Sequence, residues 1–482
     1  MAINSLVLSH EEKRIREFYQ IVYLLQSLDV RRGDRIKGKF PDEENYYSLA
    51  KHRRNIADAL AYMAAYDKKP DRVTAVALGK ENGRLVVWIA ANKTVRPEVT
   101  DFLAIVLSRL EEIVYGSESE KGKLLDLILK FNRKGVQKYY DKFCRSWEQY
   151  CESRQPSSHD VLQQLDIWVR RTFYKGGKKL QLEDMMSLAR ECHQARHRDR
   201  DVFHMLSEAS GQGIMRLHEY GQLHDLLYKI GKNVTLCRKL IHARRSLSED
   251  FKQGAVVKSV DVPPRPLHGI KPRDSFDSIA AHIFRNDCEK QAFYDHVNIL
   301  HDRDEVLEKF QNCAKDRPPP VHAEIQLINY FDRQQCQLLD ESNPYIGCSK
   351  PACYLCYRYI TDHPRRWLLP PSHQKLYHRW SLPEPRGQED RERFLATTAE
   401  VLQHDLRDKI AKKQGPRSVY DDSTAGATTA YSKRQEYANS QPTYDRARGS
   451  RISYIPSARA IGVGVEGTEK LDDDTDGGVS LL

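Results

Sequence analysis

One histidine and two cysteines with the spacing of metal ligands constrain this chain more than any other feature of its sequence. The histidine belongs to the run His322-Ala323-Glu324, which opens a segment with helical apolar periodicity. About thirty residues later, Cys353 and Cys356 begin a second predicted helix. That spacing places both sulfurs on one helix face, and the helix N-terminus favours the thiolate form that binds metal. The sequence therefore predicts a metal centre of His322, Cys353 and Cys356, with Glu324 as a neighbouring carboxylate that need not bind the metal.

Each part of this pattern has a more ordinary explanation when it is taken alone. A single histidine is more often a surface or core residue, and a carboxylate at a helix start also interacts favourably with the helix dipole. A Cys-x-x-Cys pair also occurs in redox proteins and in structural zinc knuckles. Cys348, five residues before Cys353, is a candidate fourth ligand, which would give a closed structural site with no coordinated water. The residues alone leave these alternatives open.

Composition favours a reducing compartment and an anionic partner. Ten cysteines are spread over 482 residues, and they cluster only around the predicted metal centre. The N-terminal residues carry charges where a signal peptide needs an apolar run, and no window of eighteen apolar residues occurs. We therefore expect no membrane partner and an intracellular location, cytoplasmic or nuclear. The formal net charge of +10 suits nucleic acid or a phosphorylated substrate, although a solvated basic surface explains it nearly as well.

An Asn-Gly pair between two β-rich runs predicts a hairpin. Strands near 72–79 and 84–91 flank Asn82-Gly83, the strongest short hairpin signal in a sequence. Helices are predicted over 9–32 and 44–67, and the pattern from 97 to about 251 is helical almost throughout. Further candidates are short strands at 255–262, 345–350 and 375–383 and an amphipathic helix at 387–414.

The order of these elements resembles the zinc-dependent deaminase superfamily. A hairpin, a His-x-Glu helix, a strand and a Cys-x-x-Cys helix match the signatures of cytidine and nucleic-acid deaminases. The strings HAEIQLI, IGCSKPACYLCYRYI and HQKLYHRWSLP are similar to a deaminase-like branch expanded in fungi and related to bacterial toxin deaminases. The resemblance covers about sixty residues, 321–383, and more loosely the hairpin. One departure is that Ala352 separates Pro351 from Cys353, whereas the family usually has proline directly before this cysteine.

The resemblance implies roles for individual residues. His322, Cys353 and Cys356 would hold Zn²⁺ and leave the fourth position for water. Glu324 would carry a proton from water to a ring nitrogen and to the departing ammonia. Asn92, at the end of the second hairpin strand, stands where family members often have a substrate-contacting asparagine. The substrate would be a nucleobase in a nucleotide, RNA or DNA, and the alternative is a catalytically inactive zinc-binding scaffold that binds a protein or nucleic-acid partner.

The resemblance also implies an α/β fold, with a three-layer deaminase-like sheet and flanking helices. The hairpin and the His-Ala-Glu helix are adjacent in the family but lie about 230 residues apart here. We therefore expect a large all-helical insertion, and favour it over an independent N-terminal helical domain followed by a truncated zinc module. The predicted segments are 1–96 (N-terminal helices and hairpin), 97–310 (helical insertion), 311–415 (zinc-binding core) and 416–482, a tail too poor in core-forming residues to order.

Aromatic side chains follow the cysteine pair and are further candidates for the site. They are candidates to stack on a base or line the pocket, and simple packing near a loop explains them equally well. The sequence contains no Walker P-loop, GxSxG elbow, HExxH motif or dinucleotide glycine fingerprint, which leaves the metal centre as the main candidate for chemistry. The aromatic candidates are His373, Tyr377, His378 and Trp380.

Overall fold

The structure, a computed structural model, describes most of the chain between residues 9 and 413. The predicted tail at 416–482 lies outside the described residues. None of the described helices combines the length and the apolar character that crossing a bilayer requires. The described ranges are 9–28, 35–38, 40–41, 45, 48–67, 69–113, 118–153, 160–174, 180–196, 202–211, 215, 217–262, 275–315, 319–383 and 388–413.

A four-stranded mixed sheet lies at the centre of the fold. Its strands are β1 (Thr74–Glu81), β2 (Arg84–Ala91), β3 (Ala255–Ser259) and β4 (Gly347–Cys348), in the order β3-β2-β1-β4. β1 pairs antiparallel with both β2 and β4, and β3 runs parallel to β2. The strand candidate at 375–383 is wrong, because this segment makes only an isolated bridge to the chain before the His-Ala-Glu helix.

The hairpin turn follows from the two residues at its tip. Asn82 and Gly83 have φ values of 49° and 80°, in the left-handed region that asparagine and glycine tolerate best. Two consecutive residues in this region match the twist of the flanking strands and bring Glu81 opposite Arg84. The predicted hairpin therefore forms, and it supplies the two central strands of the sheet.

Helices cover both faces of the sheet, and a short 3-10 helix (Pro70–Arg72) leads into β1. The described α-helices are α1 (His10–Ser27), α2 (Leu49–Ala64), α3 (Pro97–Ile113), α4 (Glu118–Phe131), α5 (Arg133–Ser153), α6 (Asp160–Phe173), α7 (Leu182–Gln194), α8 (Val202–Gly211), α9 (Leu217–Ser246), α10 (Phe276–Ile283), α11 (Asp287–Leu300), α12 (Arg303–Lys315), α13 (Ala323–Gln334), α14 (Tyr354–Asp362) and α15 (Gln388–Ala411).

Alternation along the strands divides the core into two halves. Val76 and Val87 face one side of the sheet, where they pack in a core that includes residues of α2, α3 and α9. Ala77 and Trp88 face the other side, in a core that includes α1, α13 and α14. Because successive residues of a strand point to opposite faces, one hairpin serves both cores. The predicted α/β fold, with a sheet between two helical layers, is confirmed.

The stretch 97–310 contributes to both halves of the core. Helices α3 to α9 extend the core on the α2 side, whereas α10 to α12 belong to the core on the α1 side. The stretch is helical in its described part except for β3, which joins the sheet beside β2. The boundaries of the four predicted segments stay predictions.

β4 crosses α2 at a close distance, and a glycine permits this crossing. A Cβ atom added to Gly347 would lie 2.4 Å from the carbonyl carbon of Ala57 and 2.5 Å from the backbone nitrogen of Asp58. Both neighbours are backbone atoms of a helix, so they cannot rotate away as a flexible side chain could. The approach packs β4, which precedes the cysteine pair, directly against α2.

We expect Gly347→Ala to lower the free energy of unfolding by about 1–3 kcal/mol, the usual cost of overpacking a buried site. Gly122 in α4 is the matched control, since an added Cβ there meets no atom within 4 Å. Gly122→Ala should instead stabilise the chain by about 0.5–1 kcal/mol, because alanine loses less backbone entropy in a helix. Urea unfolding followed by circular dichroism measures both, and equal stabilities would contradict the close-approach argument.

Candidate metal centre

Two helix N-termini bring the predicted ligands together. His322 is the N-cap residue of α13 and Cys353 is the N-cap residue of α14, with Cys356 in the first turn of α14. The Nδ1 atom of His322 lies 3.6 Å from Sγ of Cys353 and 3.3 Å from Sγ of Cys356. The three ligand atoms all lie within 4.8 Å of one another. The three residues therefore converge on one point, and their role as ligands stays a prediction.

The group has the chemistry and the dimensions of a zinc site. Zinc prefers imidazole nitrogen and thiolate sulfur, at about 2.0 Å and about 2.3 Å. In a tetrahedral site these bond lengths separate nitrogen from sulfur by about 3.5 Å. The observed distances from Nδ1 of His322 to the two sulfur atoms, 3.6 and 3.3 Å, lie on either side of that value. Both cysteines are free thiols, and the residues present fit a metal ion of this class.

The second nitrogen of His322 is held by the backbone. Its Nε2 atom lies 3.1 Å from the carbonyl oxygen of Arg379. Donation of the Nε2 proton to this carbonyl leaves Nδ1 as the lone-pair nitrogen that faces the thiols. Metal-binding histidines are commonly oriented by a hydrogen bond of this kind. The loop at Arg379 thus selects the imidazole tautomer that can bind a metal.

Trp380 makes the corresponding contact to Cys356. Its indole Nε1–H donates to Sγ of Cys356 at 3.1 Å, and the side chain is completely buried. A hydrogen bond from a neutral donor stabilises negative charge on sulfur without competing for the metal. Sequence analysis offered Trp380 as a candidate to stack on a base or line the pocket, with simple packing as an equal explanation, and its complete burial agrees with packing. The signal for its actual contact is weak, because only the fold brings the loop back to the cysteine.

The charges of the site are coupled. Burial lowers the pKa of His322, but the charge and the hydrogen bond of Cys353, together with Glu324, outweigh it and raise the pKa to about 9. Burial raises the pKa of Cys353, but the hydrogen bond with Cys356 and the charge of His322 outweigh it and lower that pKa. Burial and the neighbouring Cys353 both raise the pKa of Cys356. Negative charge on Cys353 and positive charge on His322 therefore stabilise each other, and metal binding would displace the remaining protons.

Cys348 does not belong to the ligand group. Among the described residues, the group of ligand atoms within 4.8 Å of one another contains His322 and the Cys353–Cys356 pair but not Cys348. Its Sγ atom lies 3.7 Å from the carbonyl oxygen of Ile346, and its backbone is part of β4, opposite Ala75. With three protein ligands, the arrangement leaves one position of a tetrahedral site open.

Glu324 is buried beside the ligand group. It is the second residue of α13 and 6% of its surface is exposed. Its carboxylate is close enough to the ligand group to contribute to raising the pKa of both Cys356 and His322. Its role as a proton carrier stays a prediction.

Two amide side chains connect the sheet to the helix that carries His322. Asn92 accepts a hydrogen bond from the backbone nitrogen of Ala323 and donates to the carbonyl oxygen of Pro70, both at 3.0 Å. Gln326 donates to the carbonyl oxygens of Ala91 at 2.8 Å and Val321 at 2.7 Å. Asn92 therefore positions the start of α13, and its contact with substrate stays a prediction. Sequence analysis did not identify Gln326. A glutamine within an otherwise apolar helix face is the sequence signal that could have indicated its role.

The segment 371–375 supports the turn before the cysteine pair. Ala352 donates to the carbonyl oxygen of Pro371 at 2.8 Å and accepts from the backbone nitrogen of His373 at 3.1 Å. The backbone nitrogen of Tyr354 donates to the carbonyl oxygen of Lys375 at 3.0 Å. These bonds hold the backbone around Cys353 although proline does not directly precede it.

The aromatic residues after the cysteine pair lie beside the site. His373 is buried, its Nδ1 accepts a hydrogen bond from the backbone nitrogen of Lys375, and its ring packs edge-on against Tyr377. Tyr377 in turn lies edge-on to His322, with ring centroids 6.4 Å apart. His378 packs instead against Tyr23 of α1. Contact of His373 or Tyr377 with a base stays a prediction.

One protein family matches the segment that forms this site. Residues 321–384, which are 64 of the 482 residues, match the model of the OTT_1508_deam family, described as a family of deaminase-like proteins. No curated protein and no solved structure matches the chain. The resemblance predicted from the sequence is confirmed over this segment, which forms a deaminase-like unit with a site suited to a metal ion.

We expect the purified protein to hold one zinc ion per chain and Cys353→Ala to lose it, since two ligands bind far more weakly than three. Cys348→Ala is the matched control, because it removes a buried thiol of the same segment that lies outside the ligand group. This variant should keep the full metal content. Metal analysis of the dialysed proteins measures both, and loss of zinc from Cys348→Ala would instead indicate a closed four-ligand site.

We expect Trp380→Phe to weaken metal affinity by roughly 10- to 100-fold, the usual effect of removing a group that supports a ligand. Trp367→Phe is the control, because Trp367 is also buried and its indole nitrogen has no hydrogen-bond partner among the residues that the structure describes. Chelator competition gives the affinities, and the sulfur-to-Co²⁺ charge-transfer band of the cobalt-substituted protein reports the thiolate directly. Equal affinity in the two variants would show that the Trp380 hydrogen bond does not tune the site.

Proposed function

We propose that this protein is a zinc-dependent hydrolytic deaminase that acts on a nucleobase in a nucleotide or nucleic acid. The observation that carries the proposal is the convergence of His322, Cys353 and Cys356 beside the buried carboxylate of Glu324. Three ligands leave a position for water, whereas a purely structural zinc site uses four. The family match over 321–384 supports the same reaction class.

His322, Cys353 and Cys356 would hold the zinc ion. When bound, zinc supplies Lewis-acid activation, lowering the pKa of a coordinated water to roughly 7. The chain's own residues prepare the site for this. The Arg379 carbonyl orients His322, and the Trp380 indole stabilises negative charge on Cys356. A reducing compartment, the cytoplasm or nucleus, would keep both cysteines as thiols available to the metal.

Glu324 would handle the protons of the reaction. Its carboxylate would take a proton from the attacking water and deliver it to a ring nitrogen of the base. A second proton would pass to the leaving amino group, so that water is consumed, the amino group is replaced by a carbonyl and ammonia is released. Asn92 accepts a hydrogen bond from the backbone nitrogen of Ala323, and Gln326 donates one to the carbonyl oxygen of Ala91. These two bonds hold the start of α13, which carries Glu324, in place relative to the sheet.

Positive charge near the site supports an anionic substrate. Burial is the main cause that lowers the pKa of His373, and the nearby cations lower it further. These cations are Lys375, Arg35 and Lys350. The chain as a whole also carries a net charge of +10, which favours anionic partners. Cations favour phosphate-bearing substrates electrostatically, which supports a nucleotide or a nucleic acid over a free base.

We expect Glu324→Gln to lower ammonia release by at least 100-fold while zinc content and thermal stability stay unchanged, because glutamine keeps the shape but cannot accept the proton. Glu341→Gln, in an exposed ion pair with Arg365, is the control and should keep full activity. A coupled ammonia assay on nucleosides, nucleotides, single-stranded RNA and single-stranded DNA measures the rates.

The outcomes separate an enzyme from an inactive zinc scaffold. Deamination of one substrate class that disappears in Glu324→Gln supports the proposal. Deamination that persists in this variant removes Glu324 from the mechanism. Bound zinc without deamination of any of these substrates would favour the scaffold.

A further inference from the structure

Two contacts to the predicted ligands come from adjacent residues of one loop. The carbonyl oxygen of Arg379 lies 3.1 Å from Nε2 of His322, and the indole Nε1–H of Trp380 donates to Sγ of Cys356 at 3.1 Å. Because the two residues share a peptide bond, a shift of the backbone here would move both contacts at once. The interactions that hold this loop therefore bear on the geometry of the ligands.

One side of the loop is held by the segment that leads into α13. The backbone nitrogen of Ser381 donates to the carbonyl oxygen of Pro320 at 3.2 Å. The Oγ atom of Ser381 donates to the carbonyl oxygen of Pro319 at 3.0 Å, and the residue is completely buried. These bonds fix the chain on the C-terminal side of Trp380.

The other contact to the loop comes from α1, which lies outside the segment 321–384 that matches the deaminase-like family. The buried hydroxyl of Tyr19 donates to the carbonyl oxygen of Trp380 at 2.8 Å, across 361 positions of the sequence. Burial and the neighbouring Tyr23 raise the pKa of Tyr19 well above its usual value, so the hydroxyl stays a proton donor. Phe18 packs against the Trp380 ring, with centroids 6.1 Å apart. Helix α1 thus contacts both the main chain and the side chain of Trp380.

Packing alone does not require the hydroxyl of Tyr19. Phenylalanine would fill nearly the same space and would bring no polar group into the core. A buried hydroxyl costs free energy unless a partner is placed beside it. The partner here is the peptide of the residue whose indole reaches Cys356. Two hydrogen bonds in series therefore connect α1 to a predicted metal ligand.

We propose that Tyr19 is a positioning residue of the metal centre, which holds the peptide of Trp380 so that its indole stays directed at Cys356. Hydrogen bonds that orient the groups around a ligand tune how tightly the ligand holds a metal. The N-terminal helix is then part of the metal centre, although the family match does not include it. The inference rests on the metal centre of the proposed function and does not require that the protein deaminates a base.

Chelator competition on the full chain tests this role. We expect Tyr19→Phe to weaken zinc affinity by roughly 3- to 10-fold, less than the loss of the indole itself, because Tyr19 acts one hydrogen bond further from the sulfur. The sulfur-to-Co²⁺ charge-transfer band should move to longer wavelength, as in Trp380→Phe, since a sulfur with a weaker hydrogen bond gives up charge more readily.

Tyr140→Phe is the matched control. The hydroxyl of Tyr140 is also buried and donates to a backbone carbonyl oxygen, that of Phe173, at 2.6 Å. The residue belongs to the core on the α2 side of the sheet, away from the ligand group. Both variants should lower the melting temperature by similar amounts, and Tyr140→Phe should keep wild-type zinc affinity. Equal weakening of zinc binding in the two variants would reduce the effect to lost stability and overturn the proposal.

The double variant Tyr19→Phe/Trp380→Phe shows whether Tyr19 acts through the indole. Once the indole is gone, removal of the Tyr19 hydroxyl should change zinc affinity by less than about twofold, because interacting residues give non-additive effects. If the full effect of Tyr19→Phe persists in the Trp380→Phe background, Tyr19 does not act through the indole and the proposal is wrong.

The indole proton of Trp380 provides a readout that needs no metal. Its amide-region resonance is identified by its absence from the spectrum of Trp380→Phe. In the metal-free protein, Tyr19→Phe should speed the exchange of this proton with solvent by about threefold or more, because a loosened loop opens more often. The indole proton of Trp147 in α5 should exchange as in the wild type. Unchanged exchange at Trp380 would overturn the positioning role.

The outcomes also separate this inference from the proposed function. If the wild type binds zinc and Tyr19→Phe binds it equally well, this inference alone is overturned. If the wild type binds no zinc, the proposed function and this inference fail together. Zinc binding that weakens in Tyr19→Phe supports the inference, whatever the Glu324→Gln assay shows about deamination.

Discussion

The structure depends on the hydrogen bonds that tie the end of β2 to the beginning of α13. Asn92 and Gln326 connect backbone groups of two segments that lie more than 230 residues apart in sequence. Each bond satisfies a buried polar group that would otherwise cost free energy. Because α13 begins at these bonds, they set the position of His322 and Glu324 against the sheet. The metal centre thus depends on a junction that contains no metal ligand.

Local sequence patterns predict the elements that local chemistry determines. The Asn82-Gly83 pair specifies the hairpin because few other residues adopt positive φ values without strain. Helix periodicity predicts α2 and α15 within a few residues of their observed ends. His322 and Cys353 each cap the start of a helix. The expectation that these two helices are adjacent came from the family resemblance.

Long-range contacts are the part that sequence analysis could not predict. Trp380 reaches Cys356 because the loop after α14 folds back over the site, and no spacing rule encodes that return. β3 was a strand candidate, but its parallel pairing with β2 depends on the course of the helices between them. In the sequence, Lys229 and Lys232 of α9 resemble ordinary polar surface residues, but tertiary packing buries both of them. In each case the decisive partner lies far away along the chain.

The parallel pairing of β2 with β3 makes the 163 residues from 92 to 254 a single crossover connection. A crossover of this kind needs only about a dozen residues and one helix to cover the sheet. The entropy cost of closing a connection grows slowly with its length, by about 0.6 kcal/mol for each doubling. The sheet and the metal centre therefore impose little restriction on how many helices stand between these strands. Selection can lengthen, shorten or replace that helical layer while the chemistry at α13 and α14 stays as it is.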